Sequence, residues 1–159
     1  MENNPLNPKE ALKTLRILHF ALLAGMIFFS LVALFLFYNG LEPIDVELSH
    51  AFTYIIPIFV VSGYATSHLL FRNRMGVARA AKDLTEKLTH YRAALIVRLA
   101  LLEGPAFFAI VAYMLTSELI FLGWAAIIIV YFITLWPTPA KIVADLALNY
   151  NEQHELEAK

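Results

Sequence analysis

Glu103 is the residue of this sequence best suited to chemistry inside a membrane, because it interrupts an otherwise apolar stretch. The stretch runs from Ala93 to Thr116, which places Glu103 about ten residues, or roughly 15 Å, from its start. That depth is close to the midplane of a bilayer, where carboxylates usually face a bundle interior and handle ions or protons. Two interpretations follow: Glu103 binds a proton or an ion, or it is a neutral, hydrogen-bonded packing residue.

Ser62 is the first candidate partner for Glu103, because it lies at the same predicted depth on the preceding apolar stretch. A hydrogen bond between its hydroxyl and the Glu103 carboxyl would satisfy both groups. Arg98 is five positions from Glu103, a rotation of about 140° along a helix, so we expect it to point to a different face. The pair Glu103 and Ser62 is therefore the predicted ion- or proton-binding site.

Conventional catalytic or cofactor-binding patterns are missing from the sequence. There is no Cys, no pair of carboxylates within the apolar stretches and no glycine-rich phosphate loop. His19 and His68 lie near the ends of two apolar stretches, where they suit either haem ligation or simple anchoring at the membrane interface. We expect anchoring, and hence no cofactor, no metal site, no catalytic residue and no enzyme activity.

The composition predicts that a lipid bilayer surrounds much of the chain. Of 159 residues, 60% are hydrophobic and 16% are charged, and the mean hydropathy is +0.66. A water-soluble chain is roughly 45–50% apolar and about 25% charged. The formal net charge of -1 also argues against a nucleic-acid partner, which would require a basic surface.

Four apolar stretches are long enough to span the bilayer, so the fold class we predict is an all-α, four-helix membrane bundle forming a single domain, 1–159. The third stretch should begin earlier as a helical extension that projects from the membrane, over 77–92. After the fourth stretch, Thr138 and Pro139 predict the start of an amphipathic helix over 138–151. The predicted spans are 17–38, 51–71, 93–116 and 119–136.

The basic residues predict the orientation of the spans. Eleven of the twelve fall before the first span, between the second and third, or after the fourth, whereas the other two connections contain none. Because basic loops usually stay in the cytoplasm, we expect both termini there, in a bacterial inner membrane. The eleven are Lys9, Lys13, Arg16, Arg72, Arg74, Arg79, Lys82, Lys87, Arg92, Lys141 and Lys159.

An internal repeat relates the first and third spans. Residues 21–36 align without gaps on residues 100–115 and are identical at nine of sixteen positions, including one Gly and a double Phe. The matched small and aromatic residues recur every four positions, so each copy carries one stripe along a helix. We expect the two parallel helices to cross at these stripes, as small residues permit in lipid. The stripes are Ala21, Gly25, Phe29 and Ala33, and Ala100, Gly104, Phe108 and Ala112.

The run from Arg98 to Leu115, RLALLEGPAFFAIVAYML, resembles the ion-carrying helix of rotary ATPase ring proteolipids. Larger members of that family are tandem duplications with four spans, in which only one copy retains the acid. Here Glu103 aligns with Ala24 of the first copy. The resemblance implies that Glu103 is a proton or sodium site.

Two functions are consistent with these observations. We expect a non-catalytic accessory or scaffold subunit of a membrane complex, with a membrane protein or further copies of itself as its partner. The alternative is a proton- or sodium-binding, proteolipid-like protein that uses Glu103.

Overall fold

The computed structural model describes residues 8–40, 42–45 and 47–158. Within these ranges the chain is all-helical and contains no strand, which confirms the all-α part of the predicted fold class. The helices are α1 (Pro8–Tyr38), α2 (Leu48–Ala80), α3 (Leu84–Thr116), α4 (Leu119–Thr134), α5 (Pro139–Leu146) and α6 (Tyr150–Ala158).

The first three helices are each long and apolar enough to cross a membrane. Helices α4 and α5 meet at 84°, and together they form a fourth candidate span with a sharp bend. Several helices of this length and apolar character are typical of an integral membrane protein.

Helix α3 is the centre of the bundle, because it packs against α1, α2 and α4. Phe29 contacts Phe107 and Phe37 contacts Tyr113, so α1 and α3 run in the same direction. By contrast, α1 and α2 scarcely contact each other. Helix α3 therefore separates α1 from α2.

Helices α2 and α4 run in the opposite direction to α3. Phe59 contacts Phe108, whereas Phe71, which is further along α2, contacts Tyr91, which is earlier on α3. Phe52 of α2 contacts Phe121 of α4, and Tyr64, further along α2, contacts Tyr131, further along α4, so α4 runs in the same direction as α2. We call the end of the bundle at which α1 and α3 begin the basic end; Arg16, Arg79, Lys87 and Lys141 lie there.

The predicted helical extension over 77–92 is divided in the structure, because α2 continues to Ala80 and α3 begins only at Leu84. The reason is an N-cap: the Asp83 carboxylate accepts a hydrogen bond from the Glu86 backbone N–H, at 2.8 Å. The Glu86 carboxylate in turn accepts one from the Lys82 N–H, at 3.1 Å. This reciprocal capping fixes the start of α3 and makes a turn between two long helices.

The predicted helix over 138–151 is also divided in the structure. Thr138 does cap the start of α5, as expected, and accepts from the Lys141 N–H. However, α5 ends at Leu146, and the next residue, Ala147, has a left-handed φ of 50° that stops the helix. Asn149 and Glu152 then exchange hydrogen bonds of 2.9 and 3.0 Å that start α6. The terminal segment is therefore two short helices joined by a turn.

The other predicted boundaries lie within the observed helices or close to their ends. Helix α1 begins at Pro8, well before the predicted span of 17–38, and α2 includes all of 51–71. Helix α4 stops at Thr134, just short of the predicted end at 136.

Candidate functional site

Glu103 lies half-buried on α3, on the side that faces α1. Phe107, one turn further along the same face, contacts Phe29 of α1 with ring centroids 5.5 Å apart. In the part of the chain that the structure describes, no group donates a hydrogen bond to the Glu103 carboxylate. Glu103 thus brings a carboxylate into an apolar helix without a hydrogen-bond partner among the described residues.

Ser62 does not meet Glu103, so the predicted hydrogen bond between them is not formed. The Ser62 hydroxyl instead donates to the backbone carbonyl of Phe59 in its own helix, at 3.1 Å. Leu101 and Pro105 of α3 lie next to Gly63 of α2. Glu103 is two residues from each of them, a rotation of about 200° along the helix, so it points to the opposite side of α3. The rotation of α3 therefore keeps the two predicted site residues apart.

The closest helix crossing is between α2 and α3, at Gly63. A Cβ placed on Gly63 would lie 2.8 Å from Cγ of Pro105 and 3.0 Å from the carbonyl oxygen of Leu101. Only a glycine allows α3 to approach this near, as small residues do at membrane helix crossings.

The two small-residue stripes do not face each other as expected. A Cβ on Gly25 or Gly104 would meet nothing within 4 Å, so neither glycine serves a close contact inside the chain. Phe29 points toward α3, but Phe108 points toward α2, where it contacts Phe52 and Phe59. Of the alanines, Ala33 and Ala112 are buried whereas Ala21 and Ala100 are exposed.

An open face of α3 lies between α1 and α2, because those two helices scarcely touch. Ala100 and Gly104 are exposed on this face, and Glu103 and Phe107 are half-buried beside them. We call these four residues and the space above them the α3 groove. Its small floor residues would let another helix approach closely. Ser62 and Thr66 of α2 line the cavity above Ala100 and Gly104, and the Glu103 carboxylate lies beside this floor.

The two candidate histidines lie on different helices and are not brought together. His19 is completely buried between α1 and α4, where its ring is 4.7 Å from that of Phe132 and 5.2 Å from that of Trp136. Its ring nitrogens have no hydrogen-bond partner among the described residues; the Phe132 carbonyl lies near but outside hydrogen-bonding geometry. His68 is exposed and stacks on Tyr64 of its own helix.

A polar cluster at the basic end was not predicted from the sequence. The Arg98 guanidinium donates to the Tyr131 hydroxyl at 2.8 Å and lies 4.6 Å from the ring centroid of Phe71. Its Nε is buried without a partner among the described residues. The signal was a lone Arg and a Tyr in an uncharged span, but only the packing of α3 on α4 pairs them.

A cavity of about 210 Å³ lies beside Arg98, and we call it the Arg98 cavity. Lys141 and Asp145 of α5 and Tyr91 of α3 line it, and the Tyr91 hydroxyl donates to the Asp145 carboxylate at 3.4 Å. Burial raises the pKa of Asp145, while the Tyr91 hydrogen bond and the positive charges of Arg98, Arg79 and Lys141 counteract that rise.

The two terminal helices, α5 and α6, pack their apolar sides against the rest of the bundle. The Lys87 ammonium forms an ion pair with Glu152 at 2.6 Å and joins α3 to α6. The Arg79 guanidinium donates to the backbone carbonyl of Asp145 at 2.7 Å. The apolar residues that are buried by this docking are Ile142, Leu146, Leu148 and Leu156.

Within the described ranges, no three His, Asp or Glu side chains lie close enough to hold a metal ion. Comparisons with protein-family models, curated proteins and solved structures found no match for this chain.

Proposed function

We propose that this protein is a non-catalytic accessory subunit of a membrane complex and that its α3 groove binds a transmembrane helix of a partner. The observation that carries the proposal is the Glu103 carboxylate, which faces the groove and has no hydrogen-bond donor in the described chain. An unpaired carboxylate in hydrocarbon is costly, so a basic or hydrogen-bond-donating side chain from a partner at this depth would be strongly favoured.

The shape of the groove supports the same occupant. Ala100 and Gly104 form a floor without bulky side chains, and a Cβ on Gly104 would meet nothing within 4 Å. In lipid, helices associate through close packing and interhelical hydrogen bonds, and this groove offers both. The terminal helices are weaker candidates for docking, since their apolar sides already pack on the bundle.

The membrane arrangement is part of this proposal. It has four spans, with α4 as the fourth, both termini in the cytoplasm, and the bacterial inner membrane as its location. The concentration of basic residues at one end supports that orientation. We also propose that α1 and α3 arose by duplication, which their common direction supports.

Co-purification from native membranes in mild detergent tests the partner proposal. We expect Gly104→Leu, which fills the groove, and Glu103→Leu, which removes the carboxylate, each to lower recovery of the partner by about tenfold or more. Gly123→Leu is the matched control, because Gly123 on α4 also has open space around it. A second copy of the chain as the recovered partner would identify a homo-oligomer, whereas a clean monomer without any companion would contradict the proposal.

The second candidate function is a proton- or sodium-binding protein that uses Glu103. The half-exposed position of Glu103 favours it, because a proton or ion could reach the carboxylate from the groove. A hydrophobic carbodiimide, which reacts with a protonated carboxyl, should then label Glu103, with protection by sodium if sodium binds there, and Glu103→Gln is the unlabelled control. If wild-type Glu103 does not react, this second candidate is excluded.

A further inference from the structure

Two cavities lie next to each other on the side of α3 that faces α2 and α4. The Arg98 cavity, at the basic end, is polar and charged. The second, of about 280 Å³, lies between α2 and α4 and is lined by apolar and aromatic side chains, among them Val61, Leu102 and Ile127. We call this second cavity the α2/α4 groove.

Tyr131 joins the two cavities. Its ring lines the α2/α4 groove, while its hydroxyl accepts the hydrogen bond from Arg98, which lines the Arg98 cavity. Along α4, Ile127 lies deeper in the bundle and Thr134 lies at the Arg98 cavity. A single molecule could therefore place a polar group at the basic end and an apolar chain toward the membrane interior.

The charges of the Arg98 cavity define the polar group. Arg98 and Lys141 are cationic, and the buried Nε of Arg98 is a donor without a partner among the described residues. Lys141 donates to the backbone carbonyls of Thr134 and Trp136 and has a third hydrogen to offer. Asp145 adds one carboxylate, so the cavity suits a group that carries both a phosphate and an amine.

We propose that these two cavities bind one zwitterionic phospholipid. Its phosphate contacts Arg98 and Lys141, its ammonium contacts Asp145, and one acyl chain lies in the α2/α4 groove. Basic pockets between membrane helices bind lipid headgroups in this way. The site lies on the opposite side of α3 from the α3 groove, so it does not depend on the proposed partner.

Native mass spectrometry of the detergent-solubilised, delipidated protein tests the site, with phosphatidylethanolamine, phosphatidylglycerol and inorganic phosphate as separate probes. We expect one phosphatidylethanolamine to bind, and Arg98→Gln or Lys141→Gln to weaken that binding about tenfold or more. Arg74→Gln is the control, because Arg74 is exposed and lines neither cavity. Asp145→Asn should remove the preference for phosphatidylethanolamine over phosphatidylglycerol, since only the first carries the amine.

A second variant tests the acyl-chain site without changing any charge. Ile127→Trp fills the α2/α4 groove and should weaken lipid binding, whereas Ile133→Trp, at a similarly exposed position of the same helix that does not line the groove, should not. A thermal melt checks that each variant is folded. Equal lipid binding by wild type and Arg98→Gln, or binding of inorganic phosphate as tight as that of the lipid, would overturn the proposal.

Discussion

Two side chains, Arg98 and His19, have buried nitrogen atoms without a hydrogen-bond partner among the described residues. The Arg98 guanidinium donates a hydrogen bond to the Tyr131 hydroxyl and lies over the Phe71 ring. The hydrogen bond and the cation–π contact both stabilise its positive charge. His19 packs against the rings of Phe132 and Trp136 and has no hydrogen bond among the described residues. Replacing Arg98 and replacing His19 should therefore change the free energy of unfolding by different amounts.

Replacing His19 by Leu should leave the protein at least as stable as the wild type. A buried polar group without a hydrogen bond costs about 1–3 kcal/mol, and Leu fills a similar volume without that cost. Thermal unfolding in detergent at neutral pH measures the change, and His68→Leu is the control, because His68 is exposed. A clear loss of stability in His19→Leu alone would show that the ring nitrogens have a partner, such as a bound ligand.

Asp145 should make the stability of the basic end depend on pH. Burial raises its pKa in the folded protein, so in the folded state Asp145 holds its proton to a higher pH than in the unfolded state. The stability that Asp145 contributes is fully present below its unfolded pKa of about 3.9 and is lost as pH rises through the higher folded pKa.

The variant Asp145→Asn lacks this ionisation and serves as the test. We expect the melting temperature of this variant to rise relative to that of the wild type as pH increases from about 4. The difference between the two should then stay constant above the folded pKa. Glu42→Gln, at an exposed carboxylate, is the control and should not reproduce the effect. A difference that grows as pH falls would show that the positive neighbours of Asp145, rather than burial, dominate its pKa.

At the scale of the helices, the α2–α3 pair depends on the crossing at Gly63. Gly63→Ala should destabilise the protein by about 1–3 kcal/mol, since the added methyl would overlap Pro105 and press on the Leu101 carbonyl. Gly76→Ala, in the same helix, is the matched control. Its Cβ would meet nothing within 4 Å, and the higher helix propensity of Ala should leave it neutral or stabilised. Equal melting temperatures for the two variants would refute the close crossing.

The sequence allowed some of these helices to be predicted and not others, for identifiable physical reasons. Long apolar stretches predicted the helical class, because lipid requires backbone hydrogen bonds to be satisfied within each span. The turn at Asp83 and the break before α6 carried a readable signal, an Asp or Asn followed three residues later by Glu. Apolar periodicity across 77–92 outweighed the first of these signals in the prediction.

The candidate site was predictable in depth but not in contacts. The position of Glu103 in an apolar run placed it inside the membrane, and its partial exposure could not be read from that run. Which face of α3 meets α2 is decided by Gly63 and Pro105 together, on two separate helices. For the same reason, the pairing of Arg98 with Tyr131 had no signal in either helix alone.

For the molecule as a whole, the repeat of α1 and α3 does not give the two helices equal roles. Helix α3 is surrounded by three others, whereas most of the candidate span of α1 is not buried inside the molecule. The aligned residues Phe29 and Phe108 consequently contact different helices. If the two helices arose by duplication, the central position of α3 would explain why it alone carries the polar groups Arg98 and Glu103.

The orientation of the whole molecule is the last prediction, and a sequence without Cys makes it directly testable. Single-cysteine variants at Lys82 and His154, both exposed near the basic end, should resist a membrane-impermeant maleimide in intact bacterial cells and react after permeabilisation. Glu42→Cys, at the opposite end, should react in intact cells. This pattern is expected because basic loops are retained in the cytoplasm. Reaction of Lys82→Cys in intact cells, with Glu42→Cys protected, would invert the orientation and move the Arg98 cavity to the outer leaflet.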